Sequence, residues 1–466
     1  MYRQIHTIKE YLGAGPDELA GTILDCPLCG RQHSIPIGRI AIGEGLVEAI
    51  PDLAAEIVGG SPKRVAVIYD RAIEEIVDAA LFGRLPGLRL ERVALGQKGQ
   101  LLDSTDTLGN ETAAGLPADV DLIVGAGSGV ISDLTKWIAT KSNKPFILYG
   151  TAPSMNAHTS ITSTITMGGI KTSVPLRSAE AVLFDLPVLA TAPRKMLLAG
   201  LGDLTARAVC NVDWFLGAKL RDKYFCPLPF QLTARNEPVY FDLAAKIGRA
   251  QPEGIRALAE ATLVSGLSMT MLNGETSPSS GTEHALSHFW DLQVHLEGAP
   301  KNLHGTQVAI ATMLAYALLE TLREPRVARL TAAALARLRP ELEVQITENR
   351  GKFGDTAKLF NQVTEQKWMP ETQYVAYLAS LLDGWEALWV EAEKYLTPAT
   401  RVRQALTAAG FSLSLDEIRR TPRQVLDSLV YGARYRTRYT LLDLAAEVGL
   451  LPGKAAEVLE RSGLAG

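Results

Sequence analysis

Four of the chain's seven histidines fall in one short stretch, SGTEHALSHFWDLQVHLEGAPKNLHGTQVA. His284 and His288 are spaced i, i+4, so on a helix they share one face. His304 follows a short turn and begins the next long apolar stretch, with Gly305 beside it. His295, seven residues after His288, reads as an ordinary surface or core histidine. Upstream, LLAGLGDLTARAV places Asp203 within a predominantly apolar helical stretch. A buried carboxylate is costly unless it is paired or bound to a cation. One carboxylate with two imidazoles makes a three-ligand set for a divalent metal and leaves coordination positions open for a substrate.

A second chemical signal is GAGSGVISDLTKWIA (125–139), which follows the apolar run VDLIV and opens a helix. Closely spaced glycines let backbone N–H groups approach a pyrophosphate, and a helix N-terminus favours its charge. On this reading a branched side chain at Gly129 would obstruct the pyrophosphate. The spacing is G-x-G-x-G, not G-x-G-x-x-G. Asp70, at the end of an earlier apolar run, could accept from a ribose 2′-hydroxyl, which favours NAD over NADP; its plainer reading is a helix N-cap. Cys26, Cys29 and His33 offer part of a zinc-knuckle spacing. With no second C-x-x-C, and with Cys210 and Cys226 far along the chain, an ordinary hairpin turn is the preferred reading.

These residues need a scaffold, and the hydrophobic pattern supplies one. RVAVIY (64–69), LERVAL (90–95), VDLIV (120–124), FILYG (146–150) and EAVLFD (180–185) read as buried strands with helical stretches between them, among them RAIEEIVDAALFG after Asp70. That alternation predicts a parallel sheet covered on both faces. From Arg194 onward nearly every segment has a 3.6-residue period. The fold class is therefore α/β plus all-α. Residues 1–190 form the nucleotide-binding domain and 191–466 a helical metal-binding and substrate domain, with a ligand crevice between them.

Composition sets the outer bounds. The 466 residues carry 47 Lys plus Arg against 51 Asp plus Glu, a net charge of −4, which argues against a nucleic-acid partner. The basic run around 419–439 is interleaved with apolar positions and with Asp427, and reads as a solvated or subunit-facing surface. The N-terminus has no secretory pattern and no run approaches ~20 apolar residues, so a cytoplasmic protein without a membrane partner is expected. Four cysteines are too few for a disulfide framework.

Taken together, CPLCGRQHSIPIGRIAIGEG (26–45), GAGSGVISD, TAPSM, APRKMLLAGLGDLTARAVCNVDW, SGTEHALSHFWD, LHGTQVA and RYRTRYTLLDLAAEVGLL resemble the sn-glycerol-1-phosphate dehydrogenase family. The likeness is to its bacterial arabinose-operon branch, within the iron-containing alcohol dehydrogenase and dehydroquinate synthase superfamily. The resemblance implies an N-terminal Rossmann-like domain and a dehydroquinate synthase-like helical domain. It implies that Gly127, Ser128, Gly129, Val130 and Ile131 form the pyrophosphate loop. Thr151 and Ser154 would form the next cofactor turn, and Ser160 would contact the nicotinamide side. Asp203, His284 and His304 match the metal ligands, and Asp203 and His288 match groups beside the substrate.

The implied reaction is reversible hydride transfer between NAD (NADP being the alternative) and a small phosphorylated polyol or ketone, with dihydroxyacetone phosphate as the expected ketone. One divalent Zn, Ni or Fe would act as Lewis acid, with His288 as proton relay or positioning group. A homodimer or higher homo-oligomer is expected. The chain departs from the pattern at Asn156-Ala157, where relatives carry Asp-Gly, and at His158. Asn156, placed at the substrate, would lend an extra donor that favours a related ketone bearing an acceptor there. Two alternatives stand beside this reading. A dehydroquinate synthase-like cyclase would want a cluster of Lys, Arg and Asn that is not seen in the sequence. A non-catalytic relative would have no use for three metal ligands.

Overall fold

A computed structural model describes residues 2–464 except Pro86 and Arg326. Eleven strands run in chain order: β1 Arg3–Ile5, β2 Thr22–Asp25, β3 Gln32–Ile35, β4 Arg39–Gly43, β5 Val65–Asp70, β6 Leu90–Leu95, β7 Leu122–Gly127, β8 Phe146–Gly150, β9 Thr162–Met167, β10 Ile170–Pro175 and β11 Ala181–Asp185. Six of them form one sheet in the order β4-β11-β8-β7-β5-β6, every pair parallel. Alternate side chains serve opposite faces: Val65, Val67 and Tyr69 join one apolar cluster, Ala66 and Ile68 the other. The strand order reverses around β5 and β7. Asp70 and Gly127 end those two strands, at the edge where open α/β sheets bind ligands.

All five expected strands are present. The segment 71–82 differs from its reading as one amphipathic stretch: a 3₁₀ turn (Arg71–Ile73), a short α-turn (Glu74–Val77) and a π-turn (Asp78–Phe82) follow one another. β4 adds an unexpected edge strand. β9 and β10 make a hairpin whose turn residues, Gly168 and Gly169, have φ of 56° and 81°, as a two-residue turn between twisted strands requires.

β1, β2 and β3 form a separate small sheet, and its Ile5, Leu24 and Ile35 pack into the same apolar cluster as the helices. Arg235 donates to the carbonyls of Leu12 and Ala14, tying this N-terminal segment to the helical half. Residues counted by sequence with the α/β part thus rest on the helical part. After Asp185 every described regular element is helical. The helix His304–Leu322 is long and apolar enough to cross a membrane, yet 89% of that window is buried inside the protein; it is a core helix.

The helix Gly129–Ser142 carries a cation into the interior. Lys136 is 1% exposed and its Nζ donates to the carbonyls of Ala157 (3.0 Å), Ser160 (3.1 Å) and Thr162 (2.9 Å), beside the Asp133 carboxylate at 3.1 Å. One side chain thereby shapes the loop 156–162. Lys136→Met strips the donors from three carbonyls and leaves Asp133 without its counter-charge, which should lower stability by about 3–5 kcal/mol. The check is the denaturant midpoint of wild type and variant; a loss under about 1 kcal/mol, the scale of a surface pair, would contradict this role.

Candidate metal centre and cofactor cleft

Asp203 is the next-to-last residue of the helix Arg194–Leu204, and His304 opens the helix Leu303 caps. These two helices touch backbone to backbone. A Cβ on Gly202 would lie 2.2 Å from the Gly305 carbonyl oxygen, and one on Gly305 would lie 1.8 Å from that of Ala199. Only glycine permits that approach. His284 comes from the helix Thr282–Glu297, whose first N–H donates to Asp213 Oδ2 at 2.6 Å. Asp213 Oδ1 also accepts from Leu441 N at 2.6 Å, so one buried carboxylate anchors two helix starts.

The three side chains converge. His284 Nε2 and His304 Nε2 each lie 3.7 Å from Asp203 Oδ1. That is too long for a hydrogen bond and close to the separation of about 3.4 Å between N and O ligands of one tetrahedral ion. The other ring nitrogens are engaged: His284 Nδ1 with Glu283 Oε1 at 2.8 Å, and His304 Nδ1 with Ser287 Oγ at 3.2 Å. Such partners fix the tautomer and aim Nε2 at a metal. Burial, with Arg436 and Arg438 nearby, holds His284 well below its usual pKa; burial and His284 do the same to His304. Both therefore present neutral imidazoles. Asp203 Oδ2 accepts from Asn156 N at 3.2 Å, whereas its buried Oδ1 has no hydrogen-bond partner. Burial and the charge of Glu283 push its carboxyl up to about 7. A divalent ion fits this gap.

His288 lies one turn beyond His284, its ring 5.2 Å from that of His304. Its Nδ1 is 3.6 Å from Asp291 Oδ2, and Asp291 pairs with Lys171 of β10 at 3.1 Å. Although burial opposes it, Lys171 holds the Asp291 carboxyl well below the usual range. Asn156 lines the same recess as His284, His288 and His304. Its Nδ2 donates to Ser265 Oγ at 3.2 Å, which engages one of its two N–H donors within the protein.

A cleft of about 780 Å³ runs from the sheet edge to His304. Asp70, Ser128, Gly129, Val130, Thr151 and Ser154 line it. Asp70 also caps, its Oδ1 accepting from Ala72 N at 2.9 Å. Gly127 and Ile131 turn inward: a Cβ on Gly127 would meet Ile131 at 2.6 Å. Ser160 lines the metal-side recess instead of the cleft. Gly129 needs correction, since its missing Cβ points at Met155 Sδ, 2.1 Å away, and makes room for a protein neighbour. Glu283, Lys136, Asp291 and Arg436 were not singled out from sequence. Glu283 adjoins a candidate ligand in the chain, and Arg436 was concealed in a basic run.

Comparison with known proteins agrees with this architecture. Residues 41–193 match the family model for iron-containing alcohol dehydrogenase. The structure resembles that of a 1,3-propanediol oxidoreductase (TM-score 0.55, 12% identity, 93% of this chain and 100% of the other). It also resembles NADH-dependent butanol dehydrogenase A of Thermotoga maritima (TM-score 0.53, 12% identity, 92% and 96%). The fold is thus that of the iron-containing alcohol dehydrogenases. In sequence, glycerol-1-phosphate dehydrogenase [NAD(P)+] of Halalkalibacterium halodurans is 32% identical over 296 residues, 62% of this chain and 73% of the relative. The enzyme of the same name from Geobacillus stearothermophilus is 31% identical over 61% and 70%. The chain belongs to the iron-containing alcohol dehydrogenase family, on the branch that holds the glycerol-1-phosphate dehydrogenases.

The carboxylate behind His284 gives a test of the centre. Glu283→Gln keeps an acceptor for His284 Nδ1 and removes the charge, so divalent-metal affinity should fall roughly 10–100-fold. Competition with a chromogenic chelator measures it, and unchanged affinity would separate Glu283 from the metal.

Proposed function

We propose that the protein is a metal-dependent, NAD(P)-linked dehydrogenase that interconverts dihydroxyacetone phosphate and sn-glycerol 1-phosphate. The observation that carries the substrate is Arg436. Among the described residues it is the one Lys or Arg that lines the metal-side recess, where it joins Asn156, His284, His288 and His304. One of its nitrogens donates to Ser280 Oγ at 3.2 Å. Burial, with Arg438 adjacent, lowers its pKa to about 10, so it remains charged at neutral pH. A partly buried guanidinium with donors to spare is matched to a phosphate. Ser279, Ser280 and Thr276 of the facing loop add hydroxyls to the same wall. A single guanidinium suits one phosphate, and the polyanion of a cyclase substrate would want more.

A divalent ion at Asp203, His284 and His304 supplies Lewis acidity to a carbonyl oxygen, and Zn, Ni and Fe all suit the donor set. The nicotinamide cofactor supplies or takes the hydride. The chain's part is to hold them face to face. Cleft and recess share Met155 and His304, so the residues that would hold the cofactor adjoin those that would hold the metal. His288, with Asp291 behind it on the cleft wall, is placed to move a proton between the recess and the cleft. Asn156 presents a neutral carbonyl acceptor to a substrate hydroxyl. The cytoplasm is the proposed location, where reducing conditions keep the four cysteines free of disulfides.

Arg436→Gln removes a charge-assisted contact of roughly 1.5–3 kcal/mol. The KM for dihydroxyacetone phosphate should therefore rise about 10- to 100-fold, while turnover of unphosphorylated dihydroxyacetone stays near wild type. Equal losses on both ketones would remove Arg436 from phosphate binding.

Asp70 makes NADH the better cofactor, because its carboxylate accepts from a 2′-hydroxyl and repels a 2′-phosphate. Asp70→Asn should narrow the kcat/KM ratio of NADH to NADPH, about ten-fold for each 1.4 kcal/mol of repulsion relieved. An unchanged ratio would leave Asp70 as a helix cap alone.

A further inference from the structure

The N-terminal hairpin holds a second ligand cluster, remote from the site just described. Cys26 directly follows β2, Cys29 lies in the turn and His33 in β3, and the fold brings Cys226 to them from the start of the helix Pro227–Ala234. The four ligand atoms lie within 4.8 Å of one another. Cys26 Sγ to Cys226 Sγ is 3.9 Å, Cys29 Sγ to His33 Nε2 is 3.4 Å and Cys226 Sγ to His33 Nε2 is 3.5 Å. With Zn–S near 2.3 Å and Zn–N near 2.0–2.1 Å, a tetrahedral ion sets S···S at about 3.8 Å and S···N at about 3.6 Å. The sequence argument against zinc was a missing fourth ligand, and Cys226 provides it.

We propose that Cys26, Cys29, His33 and Cys226 bind a structural Zn²⁺ that fastens the N-terminal sheet to the helical half. The surroundings support it in three ways. His33 Nδ1 donates to the Met271 carbonyl at 3.1 Å, which leaves the Nε2 lone pair facing the three sulfurs. Gly30, at φ 69°, follows Cys29, and its N–H donates to the Cys26 carbonyl at 2.9 Å; this tight turn brings both sulfurs to one side. Three thiolates and one Zn²⁺ carry a net negative charge. Tyr224 O–H donates to Cys29 Sγ at 3.3 Å, and the Arg31 guanidinium lies 3.8 Å above the Tyr224 ring. None of the four residues lines the cofactor cleft or the recess, so all four coordination positions are taken by protein and the ion holds structure.

Pinning Met271 and Cys226 bears on the active half indirectly. Met271 directly follows the helix Pro252–Thr270, whose Met269 lines the recess. Zinc binding takes the place that a disulfide or a cluster of apolar side chains would otherwise fill, and it displaces the three thiol protons to solvent.

The test uses the full-length protein. After exhaustive dialysis against EDTA, His304→Ala should retain one zinc per chain by elemental analysis, and Cys226→Ser should lose that equivalent. Cobalt substitution of wild type and of His304→Ala should show thiolate-to-cobalt charge-transfer absorption, which an Asp–His–His site cannot produce. Titrating wild type with an organomercurial should release one zinc per chain, a readout that stands even if Cys226→Ser fails to fold. A zinc-free His304→Ala protein without that absorption would overturn the proposal. So would fewer than four titratable thiols in the unreduced, denatured protein, which would mean a disulfide fills the cluster.

Discussion

Asp203 is a carboxylate sealed from water with no Lys or Arg paired to it among the described residues, and the site is organised around that fact. Burial and the charge of Glu283 raise its pKa and so disfavour the anion. Beside two neutral imidazoles it makes a gap in which a divalent cation would offset the cost of burial. The contacts behind it serve the same end. Gly202 and Gly305 let two helices meet at their backbones, Asp213 anchors the start of the His284 helix, and Glu283 turns His284 toward the gap. Apolar packing alone would not select this arrangement, because it would not bury Asp203, Asp213 and Glu283 so near one another.

The sheet half depends on buried charge in a comparable way. Lys136 projects from the helix that follows the Gly127–Gly129 turn and holds the carbonyls of the loop leading from Asn156 to β9. The Gly127–Gly129 turn and the loop from Asn156 to Thr162 are therefore fastened to one helix. Asn156 completes the link, since its N–H donates to Asp203 Oδ2. Hydrogen bonds thus run from the helix Gly129–Ser142, through Lys136 and the loop, to Asp203 on the helical side.

Much of this was legible from residue order because its signals are local. The strands at 90–95 and 146–150 match their apolar runs to the residue, and the i, i+4 pair His284 and His288 shares a face as expected. What was missed depends on contacts distant in the chain. β1, β2 and β3 hold three to four residues each, too short for a period to show, and exist because they pair with one another and rest on helices far along the chain. Cys226 is separated from His33 by 193 positions, so no spacing rule could join them. Arg436 is one of several arginines in a run that looks solvated, and only the fold distinguishes the one facing the recess. The hairpin of β9 and β10 is the opposite case: TSTITMGGIKTSVP alternates around a Gly-Gly turn, a local signal that was there to be read.

The glycines show why a motif and its reason must be separated. The turn after β7 was read as glycine-rich so that a pyrophosphate could come close, yet the Cβ positions of Gly127 and Gly129 point at Ile131 and Met155. Their role is to let this helix and the Met155 loop pack against the strand end, which leaves the backbone of Ser128, Gly129 and Val130 at the cleft surface. The same logic governs the far side of that loop. A Cβ on Gly200 would lie 1.9 Å from the Pro153 carbonyl, so the helix bearing Asp203 presses directly on the segment between Thr151 and Asn156. Hydride transfer requires donor and acceptor atoms held about 3–3.5 Å apart. Side-chain contacts across such a boundary could give by several tenths of an ångström, whereas backbone packed on backbone has far less freedom. Glycines at 200, 202 and 305 therefore join the helices bearing Asp203 and His304 and the loop from Thr151 to Asn156 into one stiff body, and hydride transfer needs such stiffness.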